Sequence, residues 1–405
     1  MALVRGRETF TAVEIAKEGA TWGAGPVEYF GVPLISEDLN IERDPLPDTE
    51  EISSLGAREA LESGRLIVVG SVTVRPRWDA KWFNMLMSSL GTENVFSAKW
   101  LDGQTGTAAT TAHVYAMSQT IPNAFHILVT KAGPASGADS TSFLFRGCIV
   151  SEMNWEQPND NHPQVTFTFV GKDLVTATSL STSPIVAVQG TVISKLRDLD
   201  QYKSSAGSPG NFQSRLLYRP SDATTLYNDL ANVNTFTVNV NRGIDFDDPD
   251  VDTPDTVSKP GPQNQREVTL EIEGKYEQLS PAASHPYHDY ANDNITGFAA
   301  YYSSSTELSS PVPYGGGIVI PRIVWTAGAA NIDTGGTITY TASGTAIAAT
   351  DVDSYTLAPS PSNVSGGGGA FHTTPANPEA YFITAVKNTD SSPSGSPFGP
   401  GVTGA

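Results

Sequence analysis

The chain has 405 residues, with 43 acidic and 24 basic side chains and a formal net charge of −19. That balance argues against wrapping nucleic acid through phosphate contacts, which takes clustered Lys and Arg, and the single cysteine, Cys148, excludes an intrachain disulfide and a thiolate zinc site. Charged residues are 17% and apolar ones 39%, a globular composition in which Ser, Thr, Gly, Pro and Asn replace charge.

Residues 1–21 read as a polar arm. They carry Glu8, Glu14 and Glu18 and no apolar h-region, so no secretory leader is expected. The longest apolar stretch, Leu66–Val74 with Gly70 inside it, is of strand length. Segment 78–90 follows as an amphipathic helix. Trp82, Met85, Leu86 and Leu90 share one face, Asp79 is placed to cap the start, and Gly91 is the expected stop. Strands are expected at 113–117, 125–130 and 165–170, and a few helical turns around 222–230. Segments 235–240, 268–273, 318–325 and 337–341 again alternate apolar with polar, rich in β-branched and aromatic residues. After Leu357 come Pro359, Pro361 and Gly366 to Gly369, a flexible-linker composition. Segment 380–386 reads as one added strand, and 391–405 has the composition of a disordered tail. No apolar run approaches the ~20 residues that cross a bilayer as a helix, so no membrane segment is expected.

The chain repeats itself. A strand near Leu34 leads into a long acidic, Pro-bearing loop and then the strand holding Gly70; a strand near Val238 leads into another such loop and then the strand holding Gly274. Both pairs are 204 positions apart. Further on, 166–171 matches 339–344 at a spacing of 173. The spacing drops by 31, which places an insertion of that size in the first half, within 95–140. The expected divisions are an arm (1–21), a first unit (22–185), a connector (186–232), a second unit (233–358) and a flexible extension (359–405).

No catalytic signature is present. No Gly-rich run ends in Gly-Lys-Ser/Thr, and no Gly-x-Ser-x-Gly elbow occurs. His285 and His288 have a spacing a metal could use on a helix, but Pro286 as a helix breaker and the lack of a third ligand nearby make this a polar loop. Cys148, in a strand pattern, reads as a buried structural thiol. The run from Asp245 to Asp255 offers carboxylates for Ca²⁺, but it lacks the Gly and Glu of an EF-hand and holds two prolines. A solvated, self-repelling loop is the plainer reading, and the matching acidic loop, 42–51, has the same character. No cofactor and no enzymatic activity are expected.

One ordered combination resembles a known family. Gly31-Val32-Pro33-Leu34, Ser36-Glu37-Asp38-Leu39, a loop, Gly64-Arg65, the strand from Val69 to Pro76, and a helix ending Ser89-Leu90-Gly91 are similar to the tail tube proteins of long-tailed bacteriophages. The second half resembles the same pattern at 236–243, 266–274 and 317–323. The resemblance implies a mainly β fold: two tandem β-sandwich or barrel-like domains, each with a flanking helix. It implies rings that stack into a conduit for DNA, as trimeric pseudo-hexamers or as hexamers. It also implies inter-ring loops containing Pro45, Asp48, Glu50, Glu51, Asp247, Asp248, Asp250 and Asp252. Expected partners are further copies of the chain, a tape measure and other tail proteins, with DNA passing unbound; the expected location is the virion, after assembly in the bacterial cytoplasm. A carbohydrate-binding or adhesin β-sandwich is the alternative, with the tryptophans as a sugar platform, and a β-sandwich hydrolase the third reading.

Overall fold

The computed structural model describes residues 10–19, 22–23, 29–43, 46–47, 61–62, 66–77, 80–97, 110–118, 123–132, 141–158, 162–177, 214–220, 228–230, 233–244, 265–275, 285–309, 312–331, 338–348 and 379–387. In chain order they form β1 (Phe10–Lys17), β2 (Phe30–Val32), β3 (Leu34–Glu37), β4 (Asn40–Arg43), β5 (Leu46–Pro47), β6 (Leu61–Glu62) and β7 (Leu66–Val74). Helix α1 (Lys81–Ser88) precedes β8 (Gly91–Ser97), β9 (Thr110–Met117), β10 (Ala124–Ala132), β11 (Thr141–Gln157), β12 (Gln164–Gly171) and β13 (Asp173–Ala177). Then come β14 (Ser214–Arg219), β15 (Asn228–Asp229), β16 (Val233–Asn241), β17 (Glu267–Lys275), helix α2 (Pro286–Ala291), β18 (Ile295–Ser309), β19 (Val312–Asn331), β20 (Thr339–Ala346) and β21 (Tyr381–Lys387).

The protein is mainly β. Every pairing is antiparallel, and all strands but β5 and β6 belong to one connected ladder. Period-2 alternation explains it: Val165, Phe167 and Phe169 of β12 are buried while Thr166 and Thr168 between them are not, and β17 buries Val268, Leu270 and Ile272.

The same ladder order occurs twice. One run is β3/β4–β7–β12–β11–β10–β1–β2. The other is β16–β17–β20–β19–β18–β14–β15. Three of their irregularities coincide. The bulge at Leu34/Ser36 has its counterpart at Val233/Thr235, that at Phe125/Ile127 at Thr296/Phe298, and that at Val150/Glu152 at Trp325/Ala327. At the last pair the same bond recurs: the Ser151 hydroxyl donates to the Thr168 carbonyl at 3.2 Å, and the Thr326 hydroxyl to the Ser343 carbonyl at 3.2 Å.

These pairings correct the alignment expected from sequence. Gly70 lies opposite Phe169 as Leu270 lies opposite Gly344, so Gly70 matches Leu270, not Gly274. Leu34 matches Val233, not Val238, and Thr166 matches Thr341, not Thr339. At Gly70 and Thr166 matching residue types was misleading because a slip by an even number of residues leaves every side chain on its face and the alternation unchanged; at Leu34 the slip is five, and the bulge at Val233/Thr235 keeps the face the same. Gly70 instead answers a local demand: its φ is +138°, and a Cβ there would lie 2.6 Å from the Leu39 Cα.

The two runs are joined by β11, whose C-terminal part pairs with β12 on one edge and β16 on the other. The insertion proves to be the β8–β9 hairpin, shifted toward the N-terminus of the expected span, since β10 has a counterpart in β18. That hairpin reaches across to β21, which lies between β9 and β19. Gly91 is no helix stop: it opens β8, where a Cβ would run into the Ala116 carbonyl oxygen. Of 222–230, where helical turns are expected, only 228–230 are described, and there Asn228–Asp229 form β15, paired with β14. Residues 10–17, read as part of an arm, form β1, with Val13 and Ile15 buried.

Helix α1 is shorter than its pattern, with Ala80 at the N-cap; Trp78 and Asp79 lie outside the described residues. Its buried Phe83 meets Phe167 of β12 edge-on at 6.5 Å. Helix α2 replaces the polar loop expected around His285 and His288. Pro286, read as a breaker, suits the first helical turn, and His285 caps the helix by accepting the Tyr287 N–H at 3.3 Å. Elsewhere rings lock strand to strand: Trp155 lies 5.5 Å from Tyr302, and Phe236 5.3 Å from Phe298.

Burial, and then the neighbouring His288, lowers the His285 pKa to about 4. An unfolded imidazole takes its proton near 6.5, so between those values the unfolded chain binds more protons. Stability is therefore expected to fall as pH drops from about 6.5 to about 4. His285→Asn keeps a capping acceptor that does not titrate. Urea titrations are expected to show a shallower loss for this variant over that window, since Asp289, with its carboxyl pushed upward by burial, is common to both chains. An identical slope would exclude His285 as the cause.

Candidate functional site

The ladder β3/β4–β7–β12–β11–β16–β17–β20–β19 has one buried and one polar face. Cross-strand partners share a face, so the polar one can be followed across the ladder. Ser36 lies opposite Thr73, Thr73 opposite Thr166, and Thr166 opposite Asn154. Asn154 lies opposite Asn239, Asn239 opposite Thr269, and Thr269 opposite Thr345. The charges on this face come from the same registers. Glu152 sits between Thr168 and Asn241, Glu156 between Gln164 and Thr237, Glu271 between Thr237 and Ser343, and Glu273 between Thr235 and Thr341. Glu267 faces Asn241 and Glu42 faces Ile67. Against these stand Lys275 on β17 and Arg322 on β19, the latter donating to the Ala348 carbonyl at 3.0 Å.

The face is thus a sheet of hydroxyls, amides and carboxylates with negative charge in excess. Few of its polar atoms are committed to one another: Thr73 and Thr166 share a hydroxyl contact of 2.9 Å, and the Asn241 amide donates to Glu152 at 3.2 Å. The opposite face carries Val72, Phe167, Met153, Trp155, Val238 and Leu270, all buried.

The ladder has two ends. At one, β3 and β4 pair with β7 and with no other strand among the described residues. At the other, Trp325–Asn331 of β19 pairs with β20 on one edge, and no described strand occupies the other edge. These ends are the two counterparts of the β11–β16 junction. Residues 327, 329, 330 and 331 are exposed, as are Asn40 and Glu42. A long uncharged edge is an invitation to pair with another chain.

Carboxylates turned inward are used differently. Glu18 is buried and accepts the backbone N–H of Gly147 at 2.6 Å and of Gly23 at 2.7 Å, with His126 Nε2 at 3.1 Å. It pins the end of β1 to β10 and β11. Cys148 is fully buried and its thiol is pushed well upward, by burial first. Trp82, Trp155 and Trp325 are buried too, which removes them from any sugar platform. Among the described residues no group of three or more His, Cys, Asp or Glu clusters as a metal site would require, and no helix is long and apolar enough to cross a membrane.

The expected inter-ring residues Pro45, Asp48, Glu50, Glu51, Asp247, Asp248, Asp250 and Asp252 lie outside the described residues. Sequence reasoning did not locate the acidic face or the edges. The alternation was visible, but which strands join is set by pairings far apart in the chain. No family model matches this chain, and no curated protein matches it significantly.

Proposed function

We propose that the chain is the structural subunit of a phage tail tube, with two tandem tube-type domains and no enzymatic activity. Three copies close into a pseudo-hexameric ring, and rings stack into the conduit through which DNA leaves the virion. The observation that carries this reading is the acidic face of a ladder that, among the described residues, is open at both ends. Closing such a ladder into a cylinder removes its edges. It also gives the cylinder a buried outer backing and a polar bore. A bore rich in Glu and poor in Lys and Arg repels phosphate, so duplex DNA slides without adhering.

Further support comes from the repeated ladder order, with its shared bulges and its repeated hydroxyl–carbonyl bond. Duplication of one unit gives each chain two equivalent places in a ring. Contacts with a tape measure and other tail proteins, and location in the virion, follow from the same reading.

Negative-stain microscopy of the purified chain at high concentration tests it. Annuli and stacks of annuli are expected. Dispersed monomers that bind a glycan array would instead favour a carbohydrate-binding or adhesin protein and overturn the tube.

A further inference from the structure

Within one chain, β11 and β16 meet in a fixed register: Glu152 opposite Asn241, Asn154 opposite Asn239, and Glu156 opposite Thr237. The bulges and pairings place Glu152, Asn154 and Glu156 where the second run has Ala327, Ala329 and Asn331. They place Asn241, Asn239 and Thr237 where the first run has Glu42, Asn40 and Asp38. Two edges already joined once inside the molecule therefore recur at the two ends of the ladder without a partner strand among the described residues.

We infer that the edge of β19 on one copy pairs antiparallel with the β3–β4 edge of the next, Ala327 opposite Glu42, Ala329 opposite Asn40, and Asn331 opposite Asp38. The inference rests on the tube-subunit reading and specifies its ring contact. The occupant is a second copy of this chain because its own β16 is the pattern for β3–β4 and its own β11 the pattern for β19. The small side chains of Ala327 and Ala329 leave room for a neighbouring strand on the polar face, while Gly328 on the other face admits the Tyr290 ring of α2. The contact is heterologous, so each copy uses one end as donor and the other as acceptor, and closure leaves no edge free.

Directly opposed residues of an antiparallel pair have Cα atoms about 4.5–5.5 Å apart, within disulfide reach. Residues displaced by two positions have Cβ atoms about 7–8 Å apart, outside it. Ala329→Cys with Asn40→Cys in one chain, oxidised with diamide, is expected to give linked dimers and trimers on a non-reducing gel. Ala327→Cys with Asn40→Cys is expected to give none. Asn154→Cys with Asn239→Cys, opposed within the chain, is the folding control and should close internally. Cys148 is fully buried and stays silent.

Rings seen by microscopy without the Ala329–Asn40 link, or with an equal link from the displaced pair, would overturn the inferred register and leave the tube reading standing. A chain whose internal control closes, yet which forms neither links nor rings, would overturn both.

Discussion

Trp155→Ala is expected to be the most destabilising single truncation in the molecule, at about 3–5 kcal/mol. The side chain is fully buried. Its residue stands opposite Val165 on one side and Val238 on the other, so it belongs to the strand that joins the two ladder runs. Its ring also lies 5.5 Å from Tyr302 on β18. Removing it leaves a cavity touching β11, β16 and β18 together, where collapse of one strand would strain the other two. Urea unfolding should show the loss, and Trp155→Phe, which keeps a ring against Tyr302, should lose less. A loss for Trp155→Ala under about 1 kcal/mol, the range of ordinary surface changes and small trims, would mean that this junction is not where the runs are held together.

The second large effect concerns the polar face. Glu156→Lys on β11 with Glu271→Lys and Glu273→Lys on β17 together replace three carboxylates of the polar face with cations. In a ring of three copies the bore would then carry nine added cations. Proteins making six to ten phosphate contacts lose about 10³–10⁵ in affinity between 50 and 200 mM salt. Assembled rings of the triple variant are accordingly expected to retain short duplex DNA at low salt and release it steeply as salt rises. The unmodified protein should retain none. The matching triple Gln variant removes the same negative charge without adding cations and should also retain none. Fluorescence anisotropy of labelled duplex reads all three. Retention by the unmodified protein, or none by the Lys variant, would contradict a bore lined by this face.

Much of the fold was legible in the sequence. The alternation in β7, β12, β16 and β17 comes from one buried face, and burial of one face is a local signal. That the first half carries an insertion was legible for a similar reason, since it changes the spacing between matching patterns, but its size was not: the corrected pairs are 200 and 175 positions apart, a drop of 25 instead of 31. Other features were hidden because two physical demands looked alike. Glu14 and Glu18 read as arm residues, yet Glu18 is buried because two backbone N–H groups satisfy it. Pro286 read as a breaker, yet a helix tolerates proline in its first turn, where that N–H has no partner. The repeat was visible but misaligned by an even slip at Gly70 and Thr166, which alternation cannot detect. The acidic face needed the ladder itself. Glu152 and Glu271 are far apart in sequence and come together only because β11 pairs with β16 and β16 with β17.

End-on averaging of assembled rings by electron cryomicroscopy is the most direct test of the central claim, that one open ladder is closed by copies of itself around an acidic bore. The expected result is threefold symmetry, with eight ladder ranks per copy forming one continuous inner wall and β19 of each copy beside β3 and β4 of the next. An inner wall built from other strands, or an assembly in which the β19 edge faces solvent, would contradict it.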